Sequence, residues 1–351
     1  MAIPLADRPA RIRLRSPAEM AAAIPHLVGF RPEESLVVVS LRGPHKRIGL
    51  TMRFDLPPAD HDEHFAGVVA ARLVADGASH ALVACCTAAT GDLPDLPRGE
   101  LIDCIRAELR TEDVALMDAL LIREGRWWSY LCADLACCPI DGRVVEEATD
   151  VAAAHALIGR SMLPDRSALV DSLRPVGFLA REAMEQALDG AGDQVAERVL
   201  AGDIERVRAE TVALVAELAD RYADPATASL SDDEAARVIV GLFDILGRDA
   251  VLTTSIGRDR DVMQALFTDV CRRALPPHDA PVCTVLAWPA YAGGNGSLTN
   301  VALERAYASD PDYSLAEILR EALHRQVPPA LLRETWLLAS ARPAEPGRSR
   351  T

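Results

Sequence analysis

Arg126–Gly142, RWWSYLCADLACCPIDG, holds two of the four tryptophans and three of the eight cysteines in the 351-residue chain. Immediately upstream, Val114–Arg123 reads VALMDALLIR, and Glu124-Gly125 separates the two stretches. Glycine tolerates the positive φ that a two-residue hairpin turn demands, so the pair predicts a β-hairpin. That turn sets a register: Arg123 faces Arg126, Ile122 faces Trp127, Leu121 faces Trp128, Ala119 faces Tyr130 and Met117 faces Cys132. Side chains alternate faces along a strand. One face then carries Met117, Ala119, Leu121, Trp128, Tyr130 and Cys132, a core face. The other carries Asp118, Leu120, Ile122, Trp127, Ser129 and Leu131, a mixed face. Trp128 is the expected core anchor. Trp127 is expected to be the more accessible, with a cleft or partner bordering it on the side of Asp118 and Ser129.

Working back from the hairpin, Arg11–Arg15 alternates as a short strand, and Ser16-Pro17-Ala18-Glu19 opens a helix that runs to about Leu27 and stops at Gly29. Pro25 lies near its end. Ser35–Arg42, SLVVVSLR, is a buried strand by its β-branched run. Arg47–Leu56 is a second strand, closed by Pro57-Pro58. Asp60 is positioned to cap a helix through Asp76, His80–Thr87 reads as a strand, and Gly99–Arg110 as a helix. The order βαββαβαββ predicts a mixed sheet with helices packed on it. Beyond the hairpin the strand signals largely vanish. Asp203 is placed to cap an amphipathic helix with Ile204, Val207, Val215 and Leu218 on one stripe. Ser231-Asp232-Asp233-Glu234 is a capping box for a helix to about Leu246. Further helices are expected at 259–275, 281–292, 297–309, 314–325 and 329–339. The chain is thus read as an α/β domain over residues 10–143, an all-α domain over 144–340 and a frayed tail at 341–351, with the joint near residues 141–150.

Composition suits about two globular domains, with 50% hydrophobic and 25% charged residues. No apolar run approaches the roughly 18 residues of a membrane helix, and the N-terminus lacks the apolar core of a signal peptide. The net charge of −15 disfavours a general nucleic-acid or bilayer surface, although Arg8, Arg11, Arg13 and Arg15 make a local basic stretch. Eight cysteines in a long chain without an export signal point to a reducing, cytoplasmic compartment.

Three groups of residues could carry chemistry. Cys132, Cys137 and Cys138 read as a metal or redox site, or as small buried side chains at a strand end and turn. Their C-x4-C-C spacing departs from the C-x2–4-C pairs of structural zinc sites, and Cys85-Cys86 could lend at most one further thiol because neighbours on a strand point to opposite faces. No structural metal and no cofactor is therefore expected. His61 and His64 could share a metal, or belong to an acidic helix start with Asp60, Asp62 and Glu63. Gly293–Ser297, GGNGS, could cradle an anion, or be an interhelical turn capped by Asn295 or Ser297. G-x-S-x-G, H-E-x-x-H and G-x-G-x-x-G are all absent.

RSPAEMAAAIPHLVGFRPEESLVVVSLRG, IGLTMRFDLP, GRWWSYLCADLACCPIDG and YAGGNGSLTNVALERAYASDPDYSLAEIL together resemble the actinobacterial domain-of-unknown-function family numbered 4192. The resemblance spans most of the chain and implies a cytoplasmic bacterial protein, with no activity, substrate or catalytic residue attached. Residues 281–311 are also similar to a tetratricopeptide helix pair, with Ala287 where a glycine is usual and no second copy at a fixed period. Two function classes stay open. One is a binding or regulatory module for a protein or small-molecule partner, with Trp127, Asp118, Ser129, Cys132, Cys137 and Cys138 as binding candidates. The other is an enzyme or redox protein using the cysteine-rich turn at residues 132–138.

Overall fold

The computed structural model describes residues 16–91, 95–146, 162–325 and 327–340. The expected first strand at 11–15, the basic stretch beside it and the tail at 341–351 lie outside these. The chain divides into two compact units, Met1–Arg166 and Ser167–Thr351.

The first unit is built on a six-stranded mixed sheet, ordered β2-β1-β3-β4-β5-β6. Its strands are β1 (Ser35–Arg42), β2 (Arg47–Asp55), β3 (His80–Cys86), β4 (Ala115–Arg123), β5 (Arg126–Ser129) and β6 (Arg143–Val144). Among these six strands, only β3 and β4 pair in parallel, joined by the helix α3 (Gly99–Thr111); the other pairings are antiparallel. The short β6 has no signature in two residues of sequence. It also lies inside the expected domain joint, whose residues 147–150 fall outside the described ones.

Local chemistry fixes the helix ends. In α1 (Pro17–Val28), the Ser16 hydroxyl accepts from the Glu19 amide, and Gly29 closes the helix in the left-handed region at φ 92°, a conformation that costs glycine little. The helix α2 (Asp62–Ala75) starts one residue later than expected, behind a 3₁₀ turn at Ala59–His61. Asp60 is not its cap; its carboxylate lies 3.1 Å from His61 Nδ1. Helices α2 and α3 cover one face of the sheet, burying Leu36, Val38, Val83, Ala119, Val69, Leu73, Leu101 and Ile105 in one cluster. The helix α1 contacts β2, β4 and β5, and its buried residues form no part of that cluster, which places it on the other face.

The second unit is helical: α4 (Arg166–Ser172, entering from the end of the first unit), α5 (Phe178–Leu200), α6 (Ile204–Tyr222), α7 (Asp232–Gly241), α8 (Ile245–Ile256), α9 (Arg260–Arg273), α10 (Asp279–Ala292), α11 (Gly296–Ser309), α12 (Ser314–His324) and α13 (Pro329–Ser340). The capping box at Ser231 forms as read: Ser231 Oγ accepts from the Glu234 amide and the Glu234 carboxylate accepts from the Ser231 amide. Two expectations fail for tertiary reasons. Asp203 stands at the N-cap of α6 without capping it, because Arg198 takes its carboxylate at 2.9 Å. The helix expected to reach Leu246 ends at Gly241, where Asp244, held by Arg208, accepts from the Gly247 amide at 2.6 Å and starts α8. Among the described residues no helix is long and apolar enough to cross a membrane.

Candidate functional site

The hairpin adopts the expected register, with Arg123 opposite Arg126, Ile122 opposite Trp127 and Leu121 opposite Trp128. Glu124 and Gly125 both take positive φ, 49° and 72°, as a two-residue turn of this hand requires. The second strand is shorter than the alternation suggests. Tyr130 still donates to the Ala119 carbonyl at 2.8 Å, but the ladder ends at Ser129 and Cys132 does not pair with Met117. Ser129 Oγ donates to Asp118 at 2.6 Å and accepts from the Leu131 amide at 3.1 Å. The Cys132 amide, next in line for the ladder, turns instead to the Ser129 carbonyl at 3.5 Å. Asp118 also accepts from the Ala119 amide. Burial pushes its carboxyl above the ordinary range, against the pull of these two hydrogen bonds.

Trp128 occupies the expected core position with Leu96, Leu121 and Tyr130. Trp127 does not match the expected accessibility: both tryptophans are 4% exposed. The face bearing Trp127 is covered by α1, which sits against β4 and β5, so the mixed polarity of that strand face conceals a buried layer. The indole N–H of Trp127 is buried without a hydrogen-bond partner.

Between β5 and β6 the chain leaves the sheet and returns, and this excursion carries the thiols. Asp134 organises it: its carbonyl accepts from the amides of Cys137 and Cys138 at 3.0 and 2.7 Å, and its carboxylate from Ala136 at 2.9 Å. Two arginines and an indole tie the turn down. Arg143 donates to the carbonyls of Ala136 and Cys137, Arg126 to those of Asp141 and Gly142, and Trp128 Nε1 to that of Ile140 at 2.9 Å. Sequence reading missed these anchors; their signal is the paired arginines that flank the cysteine run.

The turn brings Cys132, Cys137 and Cys138 together, with their Sγ atoms all within 4.8 Å of one another. On a strand the adjacent Cys137 and Cys138 would point apart; on this turn both reach Cys132. The three grade from buried Cys138 through half-buried Cys132 to exposed Cys137. Burial pushes the Cys138 thiol up to about 11, opposed by a backbone hydrogen bond from Ser129. Around them Leu131, Leu135, Ile140 and Val144 are exposed, Leu135 and Ile140 to 56%.

The remaining candidates separate from this cluster. Cys85 and Cys86 are buried in β3, their thiols pushed by burial to about 11 and about 12. The Tyr130 hydroxyl donates to the Pro97 carbonyl at 2.6 Å. Cys85 and Cys86 do not join the three thiols, and among the described residues no other set of three or more His, Cys, Asp or Glu side chains gathers in this way. His61 and His64 are both exposed. Asn295 caps α11, its side chain accepting from the Leu298 amide at 3.1 Å, so Gly293–Ser297 serves as a helix connection. In the second unit a cavity of about 350 Å³ is lined by Leu173, Arg174, Asp279, Val301, Glu304 and Arg305 among others; Arg305 is paired with Asp279 and Arg174 with Asp171.

Gly142 completes the site. Its φ is 68°, and a Cβ there would lie 2.4 Å from the Trp128 ring. Neither the ring nor the backbone can yield cheaply. Gly142→Ala should destabilise the first unit by roughly 1–3 kcal/mol through overpacking, with left-handed strain in addition. Urea denaturation followed by tryptophan fluorescence checks this; a wild-type midpoint would show that the turn does not seat on Trp128.

The family described as Domain of unknown function (DUF4192) matches residues 17–330, and the chain belongs to it. No curated protein and no solved structure matches the chain.

Proposed function

We propose that this member of the DUF4192 family is a binding or regulatory module whose working element is the three-thiol turn at the sheet edge. The observation that carries the reading is the convergence of Cys132, Cys137 and Cys138 within 4.8 Å on a turn tied down by Arg126, Trp128 and Arg143. Ligand sites are strongest when their supporting shell is fixed before the ligand arrives. The exposed rim of Leu131, Leu135, Ile140 and Val144 supports a partner with apolar surface, a protein or a small molecule. The net charge of −15 speaks against nucleic acid. A cluster of free thiols also fits the reducing cytoplasm, where such groups persist.

A redox protein or enzyme working through residues 132–138 is the second reading, supported by the exposure of Cys137 beside two further thiols. Against it stands the direction of Cys138, whose thiol burial pushes to about 11; a nucleophilic cysteine is shifted the other way. Alkylation with limiting iodoacetamide near neutral pH, mapped by mass spectrometry, separates the two. The binding reading expects Cys137 to react at the rate of an ordinary exposed thiol, with Cys138, Cys85, Cys86, Cys271 and Cys283 protected. Labelling of one cysteine of the turn at least about tenfold faster than free cysteine would favour the enzyme.

A further inference from the structure

We propose that Cys132, Cys137 and Cys138 bind one zinc ion through three thiolates and leave its fourth coordination position to an outside ligand. The inference deepens the binding reading above and rests on it. It also reverses the expectation drawn from spacing alone. The C-x4-C-C pattern argues against a closed structural site of four protein ligands. It does not argue against an open one of three.

The geometry is the first support. Zinc–sulfur bonds of about 2.3 Å in a tetrahedron place sulfurs about 3.8 Å apart. The three Sγ atoms already lie within 4.8 Å of one another, so closure asks for a movement of about 1 Å at most, less than a cysteine rotamer supplies. The exposed Cys137 offers both the entry path and the freedom to close, while buried Cys138 is fixed in place.

The surroundings are the second. Each thiol loses its proton to solvent as its sulfur bonds to zinc, so the three thiolates and the dication carry one net negative charge. Arg126 and Arg143, bonded to carbonyls of the same turn, offset that charge. No fourth His, Cys, Asp or Glu among the described residues joins the cluster, which leaves the last position open. An open position distinguishes zinc sites that act on or capture a ligand from those that only hold a fold. The apolar rim of Leu135 and Ile140 then borders the place where that ligand would sit.

The test uses the full chain, purified with reductant, stripped with a chelator and titrated with cobalt(II) and then zinc(II). The expected result is one cobalt per chain, showing thiolate-to-cobalt charge transfer and the visible bands of a tetrahedral ion, displaced by zinc. Cys137→Ser removes an exposed thiol and should leave the fold intact by circular dichroism while weakening zinc by at least about tenfold, or 1.4 kcal/mol. Cys104→Ser, outside the cluster, should bind as wild type. Absence of the charge-transfer band, or zinc binding untouched by Cys137→Ser, would overturn the metal site. A parallel titration with phenylarsine oxide, which bridges neighbouring thiols, separates that failure from failure of the binding reading. If the arsenical bridges the turn while zinc does not bind, the zinc proposal falls and the thiol-binding element stands. If neither binds, both fall. Binding of copper(I) alone would likewise overturn zinc.

Discussion

Arg305→Ala should lower the stability of the helical unit by about 3–5 kcal/mol, the usual cost of removing one partner from a buried ion pair. Arg305 Nε donates to Asp279 Oδ2 at 2.9 Å, and Asp279 is only 2% exposed. The same guanidinium donates to the carbonyls of Leu173 and Ala274. One fork therefore ties the segment after α4, the end of α9, the start of α10 and the body of α11. Removing it strands a buried carboxylate, whose Oδ1 already lacks a partner, together with two carbonyls that lose their donor. Urea denaturation followed by far-ultraviolet circular dichroism measures the loss. Arg305→Lys keeps the charge but not the planar fork, so it should fall between wild type and alanine. Arg305→Met combined with Asp279→Asn should recover part of the loss, because the stranded charge is gone. A change within about 0.5 kcal/mol for Arg305→Ala, the range of an ordinary surface substitution, would show that the pair carries no such weight.

Nothing in the sequence marked Arg305. It stands among many arginines, and its acceptors lie far from it along the chain. The elements that could be read were those set by neighbours. Ser16 and Gly29 bound α1, Ser231 and Glu234 open α7, and Gly125 fixes the hairpin register. Each of these depends on residues within a few positions. The readings that failed depended on distant ones. Gly241 ends α7 where a Cβ would meet Thr211 at 2.3 Å, and Asp203 gives its carboxylate to Arg198. Trp127 is covered by a helix drawn from the beginning of the described chain.

The candidate site divides along the same line. Its location was legible, because aromatic and sulfur side chains concentrate in Arg126–Gly142. Its geometry was not, because alternation along a strand sends Cys137 and Cys138 to opposite sides. Asp134 changes that by accepting from both their amides. Asp118 and Ser129 were read as edges of a cleft from their polarity. The structure pairs them with each other at 2.6 Å, and together they end β5. A polar pair at that position closes the ladder and starts the turn that gathers the thiols, so its effect on the site runs through the backbone.

Trp128→Ala should cost the first unit about 3–5 kcal/mol, as truncation of a buried aromatic residue does, and should loosen the thiol turn as well. The ring packs on Leu96, Leu121 and Tyr130, and the Arg123 guanidinium lies 4.8 Å from its centroid. Its N–H holds the Ile140 carbonyl at 2.9 Å. Trp127→Ala should cost a similar amount, since Trp127 is equally buried; alanine alone will not tell the two apart. Phenylalanine will. Trp128→Phe keeps most of the ring but orphans the Ile140 carbonyl, so it should cost about 1 kcal/mol and weaken zinc or arsenical capture by the turn. Trp127→Phe removes an indole N–H that is buried without a partner, so the loss should be smaller, and the turn, bonded to Trp128 and the two arginines, should keep its affinity. Chemical denaturation of the two phenylalanine variants, with metal titration of each, decides the matter. If Trp127→Phe is the more damaging on both measures, the thiols are not held through Trp128 and the sheet edge does not fix the thiol cluster.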